Sequence, residues 1–283
     1  MMTLQTAWRG KTTWAAVWTA VCIALCAAPA RAQVPLNAPQ LDQLVARIAL
    51  YPDPLLAQIL TASTYSEQIG DAARWADGHS YLTGDALANA IAQDNLPWDP
   101  SVLSLLPFPS VLDMMARDIF WTRQLSDAVL GQREDVMDAV QRMRRQASGF
   151  GYLRDWPGYR IVAGAGGWIE ILPMDPGFCQ VPVYDPLVVF AVARRGPALG
   201  ITFGARIALG AGFAPWGWGR TSIGWANHSL MIDGHAWARS RANHETYTHP
   251  YVAPRPPAGP RVERHELRPA GPGRGREGKE GGR

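Results

Sequence analysis

The second half of the chain holds the residue types best suited to bond-breaking chemistry, a cysteine and several histidines. A thiolate nucleophile needs a lowered pKa and a base within reach, and Cys179 with His235 would supply the two groups. The surrounding residues, GFCQVP, match no thiol-enzyme signature, and an isolated cysteine commonly packs as a small apolar side chain. We therefore expect Cys179 to be a packing residue, with the Cys179 and His235 pair as the catalytic alternative.

The late histidines also allow a metal site. Asp233, His235, His244 and His249 carry donor atoms that Zn²⁺ accepts, provided that they converge in a loop. The segment HETYTH does not fit the zinc-protease pattern, which places two histidines at i and i+4 on one helical face. His244 and His249 are instead separated by about 140° around a helix, and Pro250 follows them directly. We expect no metal and no cofactor, with these four residues as the alternative ligand set.

Four tryptophans crowd the segment 216–237 and form a candidate ligand-binding surface. Trp faces stack on ligands and concentrate at protein interfaces, although buried aromatic rings are also ordinary core material. We expect core packing where glycine-rich strands leave gaps, with ligand binding as the alternative. The four residues are Trp216, Trp218, Trp225 and Trp237.

The acidic residues of the first half are predicted to begin helices rather than to do chemistry. Asp53 and Asp99 each precede a proline, which is the arrangement of an N-cap with proline at the first helical position. Glu67 follows Thr64 with the spacing of a capping box, and Asp113 falls in a first helical turn. This interpretation leaves no carboxylate for a catalytic constellation.

Residues 40–148 are predicted to form an all-α helical bundle. Apolar residues recur at i, i+3, i+4 and i+7 in several segments, beginning with Leu41, Leu44, Val45 and Ile48. This is the period of a helix with one buried face. Prolines and glycines separate the segments, and a stretch of about 110 residues is long enough to bury one core.

Long and specific stretches of the chain support a comparison with known sequences. They read RIALYPDPLLAQILTASTYSEQI, AARWADG, LPWDPSVLSLL, FPSVLDMMARDIFWTRQLSDAVLGQREDVMDAVQRMRRQA and QVPVYDP. These stretches resemble a family of exported bacterial proteins catalogued as domain of unknown function 3300. The resemblance is dense over residues 41–150 and looser over residues 168–190. It implies export and a helical N-terminal part, and it implies no activity, cofactor or site residue.

Residues 150–245 are predicted to form a small β module rich in glycine and tryptophan. Short extended runs at residues 168–172 and 181–184 are followed by Pro173 and by an Asp-Pro turn. Residues 200–213 alternate apolar with small side chains, and this period of two predicts a strand with one nearly bare face. A Gly-spaced helix or a membrane-inserted hairpin are the alternatives, and Arg206 makes membrane insertion costly.

The N-terminal end of the chain predicts export. Residues 1–32 combine basic residues, a short uncharged apolar run and the triplet Ala30-Arg31-Ala32. This is typical of a secretory signal peptide cleaved before Gln33, with an uncleaved anchor as the alternative. Removal would take three basic residues and no acidic ones from a chain of formal net charge +3, leaving it neutral with one cysteine.

The C-terminal end has a different composition. Residues 250–283 are rich in Pro, Gly and Arg and are predicted to be disordered, because they contain too little apolar surface to form a core. A basic tail of this kind either contacts acidic envelope components or keeps the protein soluble.

Together the patterns predict an α+β fold, with an N-terminal all-α helical bundle, a small Gly/Trp-rich β module and a disordered C-terminal tail. Since no catalytic constellation is assembled, we expect a non-enzymatic binding or scaffolding module of the cell envelope, in the periplasm or otherwise exported. Its expected partner is a cell-wall polymer, a lipid headgroup or a protein. We expect no nucleic acid and no transmembrane span after signal removal. The alternative is a cell-wall-directed hydrolase or transferase that uses Cys179 or the late histidines.

Overall fold

The computed structural model describes residues 34–164, 166–196 and 200–249 of the chain. The predicted signal segment and the predicted tail therefore lie outside the described residues. Between residues 38 and 149 the chain is helical, with short connections, as the periodicity predicted. The helices are α1 (Ala38–Val45), α2 (Asp53–Ser63), α3 (Ser66–Gly78), α4 (Gly84–Asp94), α5 (Pro100–Leu103), α6 (Pro109–Arg117), α7 (Ile119–Gly131) and α8 (Arg133–Gly149).

Helix α2 lies at the centre of the core. Every residue of α2 except Pro54 is buried. The helix contacts α5 and α7 as well as strands of the second half of the chain. Fully burying a Leu or Ile side chain stabilises a fold by roughly 1.5–3 kcal/mol. Leu55, Leu56 and Ile59, which are fully buried, therefore tie the two halves of the chain to one core.

The two predicted Asp-Pro caps differ from each other. Asp99 Oδ1 accepts a hydrogen bond from Ser101 N at 2.9 Å and caps α5, as predicted. The prediction that Asp53 caps α2 is wrong, because Pro52 occupies the N-cap position and makes no side-chain cap. The Asp53 side chain lies in the core instead, where it forms an ion pair with Arg144.

The predicted capping box of Thr64 and Glu67 is also wrong. Helix α3 begins at Ser66, and Tyr65 precedes it without a side-chain cap. Thr64 Oγ1 donates to Thr61 O at 2.7 Å, inside the last turn of α2. The hydroxyl is already bonded to the preceding helix and so does not cap the next one.

The second half consists of short antiparallel strands, which together with the helices confirms the α+β class. Strands β1 and β2 pair, as do β3 with β6 and β4 with β5, and β7, β8 and β9 form a three-stranded sheet. The elements are β1 (Tyr159–Ala163), β2 (Ile169–Pro173), β3 (Phe178–Cys179), β4 (Pro182–Tyr184), α9 (Pro186–Val189), β5 (Ile201–Phe203), β6 (Ile207–Ala208), β7 (Ser222–Gly224), β8 (Ser229–Ile232) and β9 (His235–Ala236).

The prediction of one strand over residues 200–213 is wrong. Strands β5 and β6 occupy only part of this segment, and a 3₁₀ helix covers Ala211–Trp216. Gly210 adopts a φ of 49°, in the region that glycine enters without a steric penalty. The turn at Gly210 ends the extended segment, so the alternation continues past the point where the strand stops.

The β3/β6 and β4/β5 pairs are separate two-stranded ladders on the same two stretches of chain, and their registers differ by one residue. Gly204 N donates to Val181 O at 3.0 Å, which continues the β4/β5 register. The β3/β6 register is shifted from it by one residue, so Gln180 alone stands opposite Ala205 and Arg206. Two residues opposing one is the geometry of a β-bulge, which bends a strand and changes the direction of its side chains.

The described residues from Ala38 onward belong to one compact unit. No helix among the residues that the structure describes has the length and apolar character needed to cross a membrane.

Candidate functional site

Cys179 is buried in β3, with 2% of its surface exposed. Burial raises the pKa of its thiol to about 12, and this outweighs the hydrogen bonds with Tyr159 and Gln180 that lower it. His235, the predicted base, is exposed in β9, and its Nδ1 lies 2.9 Å from Asp233 O. The thiol is therefore protonated at neutral pH, whereas a nucleophile requires the thiolate.

The candidate metal ligands have separate partners. Asp233 Oδ1 accepts a hydrogen bond from Arg220 Nε at 2.8 Å, and His244 Nδ1 lies 2.9 Å from a backbone carbonyl oxygen. His249 Nε2 lies 2.7 Å from Asp99 Oδ2. Across the described residues, no group of three or more His, Cys, Asp or Glu side chains is placed to hold a metal ion.

The four candidate tryptophans lie in the core. Trp218 Nε1 donates to Ser104 O at 2.9 Å, and Trp225 Nε1 donates to Asp53 Oδ2 at 2.8 Å. These bonds tie the β-rich half to the helices, and burial leaves little of either ring exposed for stacking. Trp216, Trp218, Trp225 and Trp237 are all 5% exposed or less.

One group of acid–base side chains is assembled by the fold from distant positions. His249 Nε2 lies 2.7 Å from Asp99 Oδ2 and 3.2 Å from Tyr65 Oη. Burial alone would raise the pKa of Asp99, but hydrogen bonds from His249 and Ser101 outweigh it and lower that pKa. Burial is also the main cause that raises the pKa of the Tyr65 hydroxyl.

The His249 and Asp99 side chains of this group are buried, whereas Tyr65 borders an open cavity of about 550 Å³. The side chains of His249 and Asp99 are 7% and 8% exposed. Arg239 covers Tyr65, with its guanidinium carbon 3.7 Å from the ring centroid, and donates to Thr64 O. The group therefore clamps the segment 237–249 against the start of α3 and α5.

An open groove of about 520 Å³ lies between the helical half and the stretch of chain that carries the β4/β5 and β3/β6 pairs. Its walls are the connection from α3 to α4, the start of α4 and the connection from α5 to α6. Its floor is β4 together with residues 204–208. The polar lining residues are His79, Ser80, Thr83, Ser110 and Arg206, and the apolar ones are Ala76, Leu82, Leu87, Leu106, Pro107, Pro109, Val181, Val183, Ala205, Ile207 and Ala208.

Along residues 181–184, successive side chains point alternately into the groove and into the core. Val181 and Val183 line the groove, whereas Tyr184 packs edge-on against Tyr51 in the interior. Gly204, opposite Val181, has no side chain, and an added Cβ would meet only the Val181 carbonyl oxygen at 3.6 Å. The nearly bare face predicted for this segment thus forms part of the groove floor.

Arg206 lies in the bulge and lines both the groove and a second cavity of about 410 Å³. Its Nη2 donates to Asp175 Oδ2 at 3.0 Å, and its guanidinium carbon lies 3.7 Å from the centroid of the Phe178 ring. The side chain remains 57% exposed. Arg206 is therefore a cation that is held in place and still open to solvent.

A family model matches the part of the chain that contains all the helices and strands described above. A family described as protein of unknown function (DUF3300) matches residues 37–251. The chain belongs to this family. The uncharacterized protein YacH of Escherichia coli (strain K12) is 38% identical over 193 residues, and the match covers 57% of this chain and 31% of YacH. The chain thus spans about a third of the length of this relative. No solved structure matches the chain.

All groove residues lie inside the region that the DUF3300 family covers. The groove is not visible in the sequence, because its walls come from residues 76–87, 106–110 and 181–208, which only tertiary packing brings together. The one signal in the sequence is the alternation of small and apolar residues near Gly204.

Proposed function

We propose that this member of the DUF3300 family is an exported, non-enzymatic protein of the cell envelope that holds an aliphatic chain in the groove. The observation that carries the proposal is the lining of the groove, which consists mostly of Leu, Val, Ile, Ala and Pro side chains. Export is supported by the signal-like residues 1–32. Membranes and lipid-linked molecules supply aliphatic chains in that compartment.

A polypeptide or a glycan fits this lining less well than a methylene chain. Each residue of a bound peptide brings a backbone N–H and C=O that need hydrogen-bond partners once they are buried. A sugar brings hydroxyl groups with the same need and is commonly stacked on an aromatic face. A methylene chain has no polar group to satisfy, so the apolar lining favours it.

The base of the groove is continuous with the protein core. Leu106, Leu87 and Val181 are 1%, 5% and 6% exposed, so they belong mainly to the core and present only a small apolar surface to the groove. Burying one methylene group contributes about 0.8 kcal/mol, or roughly 6 kcal/mol for a run of about eight. Association entropy offsets part of this free energy. We therefore expect dissociation constants on the order of 10 µM or weaker.

The proposal is tested by titrating the purified protein with N-phenyl-1-naphthylamine, an uncharged fluorophore that brightens in apolar surroundings. The discriminating variant is Val183→Asp, which places a charge in the groove. Its matched control is Val192→Asp. The two valines are 59% and 51% exposed, and Val192 does not line the groove.

We expect saturable binding that 1-dodecanol reverses, with affinity at least about tenfold weaker in V183D and unchanged in V192D. Equal affinities in wild type, V183D and V192D would remove the groove as the binding site. If the purified protein retained isolated cell-wall polymer or an envelope protein and did not bind the fluorophore, that polymer or protein would be its ligand in place of an aliphatic chain. Recovery of the native protein in the cytoplasmic fraction would remove the export part of the proposal.

A further inference from the structure

We propose that the ligand of the groove is a single-chain amphiphile with an anionic head group, and that Arg206 receives the head. This inference rests on the proposed function, because it identifies the class of molecule whose aliphatic chain the groove holds. It adds a charge requirement that a purely apolar groove would not have.

The distribution of charge around the groove supports an anionic head. Among the described side chains that line it, Arg206 alone carries a permanent charge. The hydroxyl groups of Ser80, Thr83 and Ser110 can donate hydrogen bonds to an anion but add no charge of their own. No carboxylate lines the groove in the part of the chain that the structure describes, and Asp175, which pairs with Arg206, is the acidic group next to the proposed head-group site.

Arg206 lies where the β3/β6 and β4/β5 registers meet, and it borders both the groove and the second cavity. Gln180 stands opposite both Ala205 and Arg206, and the extra residue changes the direction of the side chains that follow. Continued alternation from Thr202 and Gly204 would already place residue 206 on the side of Val181 and Val183, which line the groove. Arg206 lies over Phe178 at the boundary between the groove and the second cavity.

The contacts of Arg206 position the guanidinium without using up its donors. Asp175 accepts a hydrogen bond from one terminal nitrogen, Nη2, at 3.0 Å, and Phe178 supports the flat face of the group. A guanidinium carries five N–H donors in a fixed plane that matches a carboxylate or a phosphate. With 57% of the side chain exposed, donors remain for an incoming anion.

Asp175 also affects how tightly Arg206 can bind an anionic head group. Its negative charge lies next to the guanidinium and opposes an anionic ligand, while its hydrogen bond orders the Arg206 side chain. A charge-assisted hydrogen bond at a solvent-exposed site contributes little more than about 1 kcal/mol. We therefore expect the head group to raise affinity by about threefold to tenfold over that of a neutral chain.

The test compares three ligands with the same twelve-carbon chain, namely dodecanoate, 1-dodecanol and dodecylammonium, each below its micellar concentration. Each one displaces N-phenyl-1-naphthylamine from the purified protein. We expect affinity to fall in the order dodecanoate, dodecanol, dodecylammonium. Sodium chloride should reduce the difference between dodecanoate and dodecanol, because the site is exposed to screening.

Three variants assign the effect to Arg206. Arg206→Gln should bring dodecanoate affinity down to that of dodecanol and leave dodecanol affinity unchanged. Arg206→Lys should keep part of the preference because it keeps the charge. Asp175→Asn should raise dodecanoate affinity about twofold to fivefold, because it removes the opposing charge. Thermal unfolding followed by circular dichroism confirms that each variant is folded.

The outcomes separate this inference from the proposed function. If dodecanol binds in the groove and dodecanoate shows no preference, or if R206Q keeps the preference, Arg206 does not receive the head and the inference falls while the proposed function stands. If neither dodecanol nor the fluorophore binds, the proposed function falls, and the inference falls with it.

Discussion

Asp53 and Arg144 form an ion pair in the core, with 2.6 Å between Asp53 Oδ1 and Arg144 Nη1 and side-chain exposures of 3% and 0%. Ile171 N donates to Asp53 Oδ1 at 3.2 Å, and Trp225 Nε1 donates to Asp53 Oδ2 at 2.8 Å. Arg144 donates further hydrogen bonds to three backbone carbonyls. The pair therefore joins α2 and α8 to β2 and to the turn that contains Trp225.

Removing one member of this pair should strongly destabilise the fold. Asp53→Ala leaves the buried Arg144 cation without its counter-ion, and Arg144→Met leaves the buried Asp53 carboxylate without its counter-ion. Each should lower the free energy of unfolding by about 3–5 kcal/mol. The double variant should cost less than the sum of the two, because the residues act as one unit. Urea unfolding followed by circular dichroism measures these differences.

The exposed pair of Asp113 and Arg117 is the control for this prediction. Arg117→Ala should change stability by less than about 1 kcal/mol, because solvent screens an exposed ion pair. If D53A lowered the free energy of unfolding as little as R117A does, the buried pair would contribute no more to stability than the exposed pair.

The contact between Asp99 and His249 predicts a specific loss of stability in acid. The pKa of Asp99 is lowered in the folded protein. Its ionised form therefore stabilises the fold at pH values above the unfolded pKa of about 3.9. This contribution disappears as the pH falls through the lower, folded value. His249→Ala removes a cause of the shift, so it should lower stability near pH 6 and flatten the slope in that acid range.

Unfolding measured between about pH 3 and pH 6 tests this relationship. His244→Ala is the matched control, because the His244 side chain is exposed and its Nδ1 contacts a backbone carbonyl. Its slope should match that of the wild type. The same slope in H249A would mean that His249 does not set the pKa of Asp99.

The environment of Cys179 predicts an unreactive thiol. The side chain is buried, and burial raises its pKa to about 12. Because the thiolate is the reactive form, an aromatic disulfide reagent at neutral pH should label the folded protein very slowly when residues 1–32, which contain Cys22 and Cys26, have been removed. The same protein in guanidinium chloride should react rapidly. Rapid labelling of the folded chain would restore Cys179 as a candidate nucleophile.

Two glycines should respond in opposite directions to substitution by alanine. Gly234 follows Asp233 in the two-residue turn between β8 and β9, and their φ angles are 76° and 52°. Gly234→Ala should destabilise the protein by about 1 kcal/mol, because alanine is strained at positive φ. Gly78 ends α3 with open space around it, so Gly78→Ala should stabilise by up to about 1 kcal/mol. Thermal unfolding compares the two, and a common sign would contradict this account.

Much of the helical half follows from local patterns. The stripe that begins with Leu41, the proline after Asp99 and the glycine at position 78 act within a few residues, so the helices they predict are present. The caps were harder to predict, because a hydroxyl or carboxylate near a helix start has other partners available. Thr64 bonded to the helix before it, and Asp53 bonded to Arg144, which lies 91 residues away.

The amino-acid order by itself determined the helical segments, the α+β class and the membership of the DUF3300 family. These depend on spacing and on runs of residues, which act locally or are read directly. Only the tertiary structure decided that Cys179 is buried, that His249 meets Asp99 and that Arg206 borders an aliphatic groove. Such contacts join residues far apart in the chain. Their free energies depend on how all the segments pack together, so no single segment encodes them.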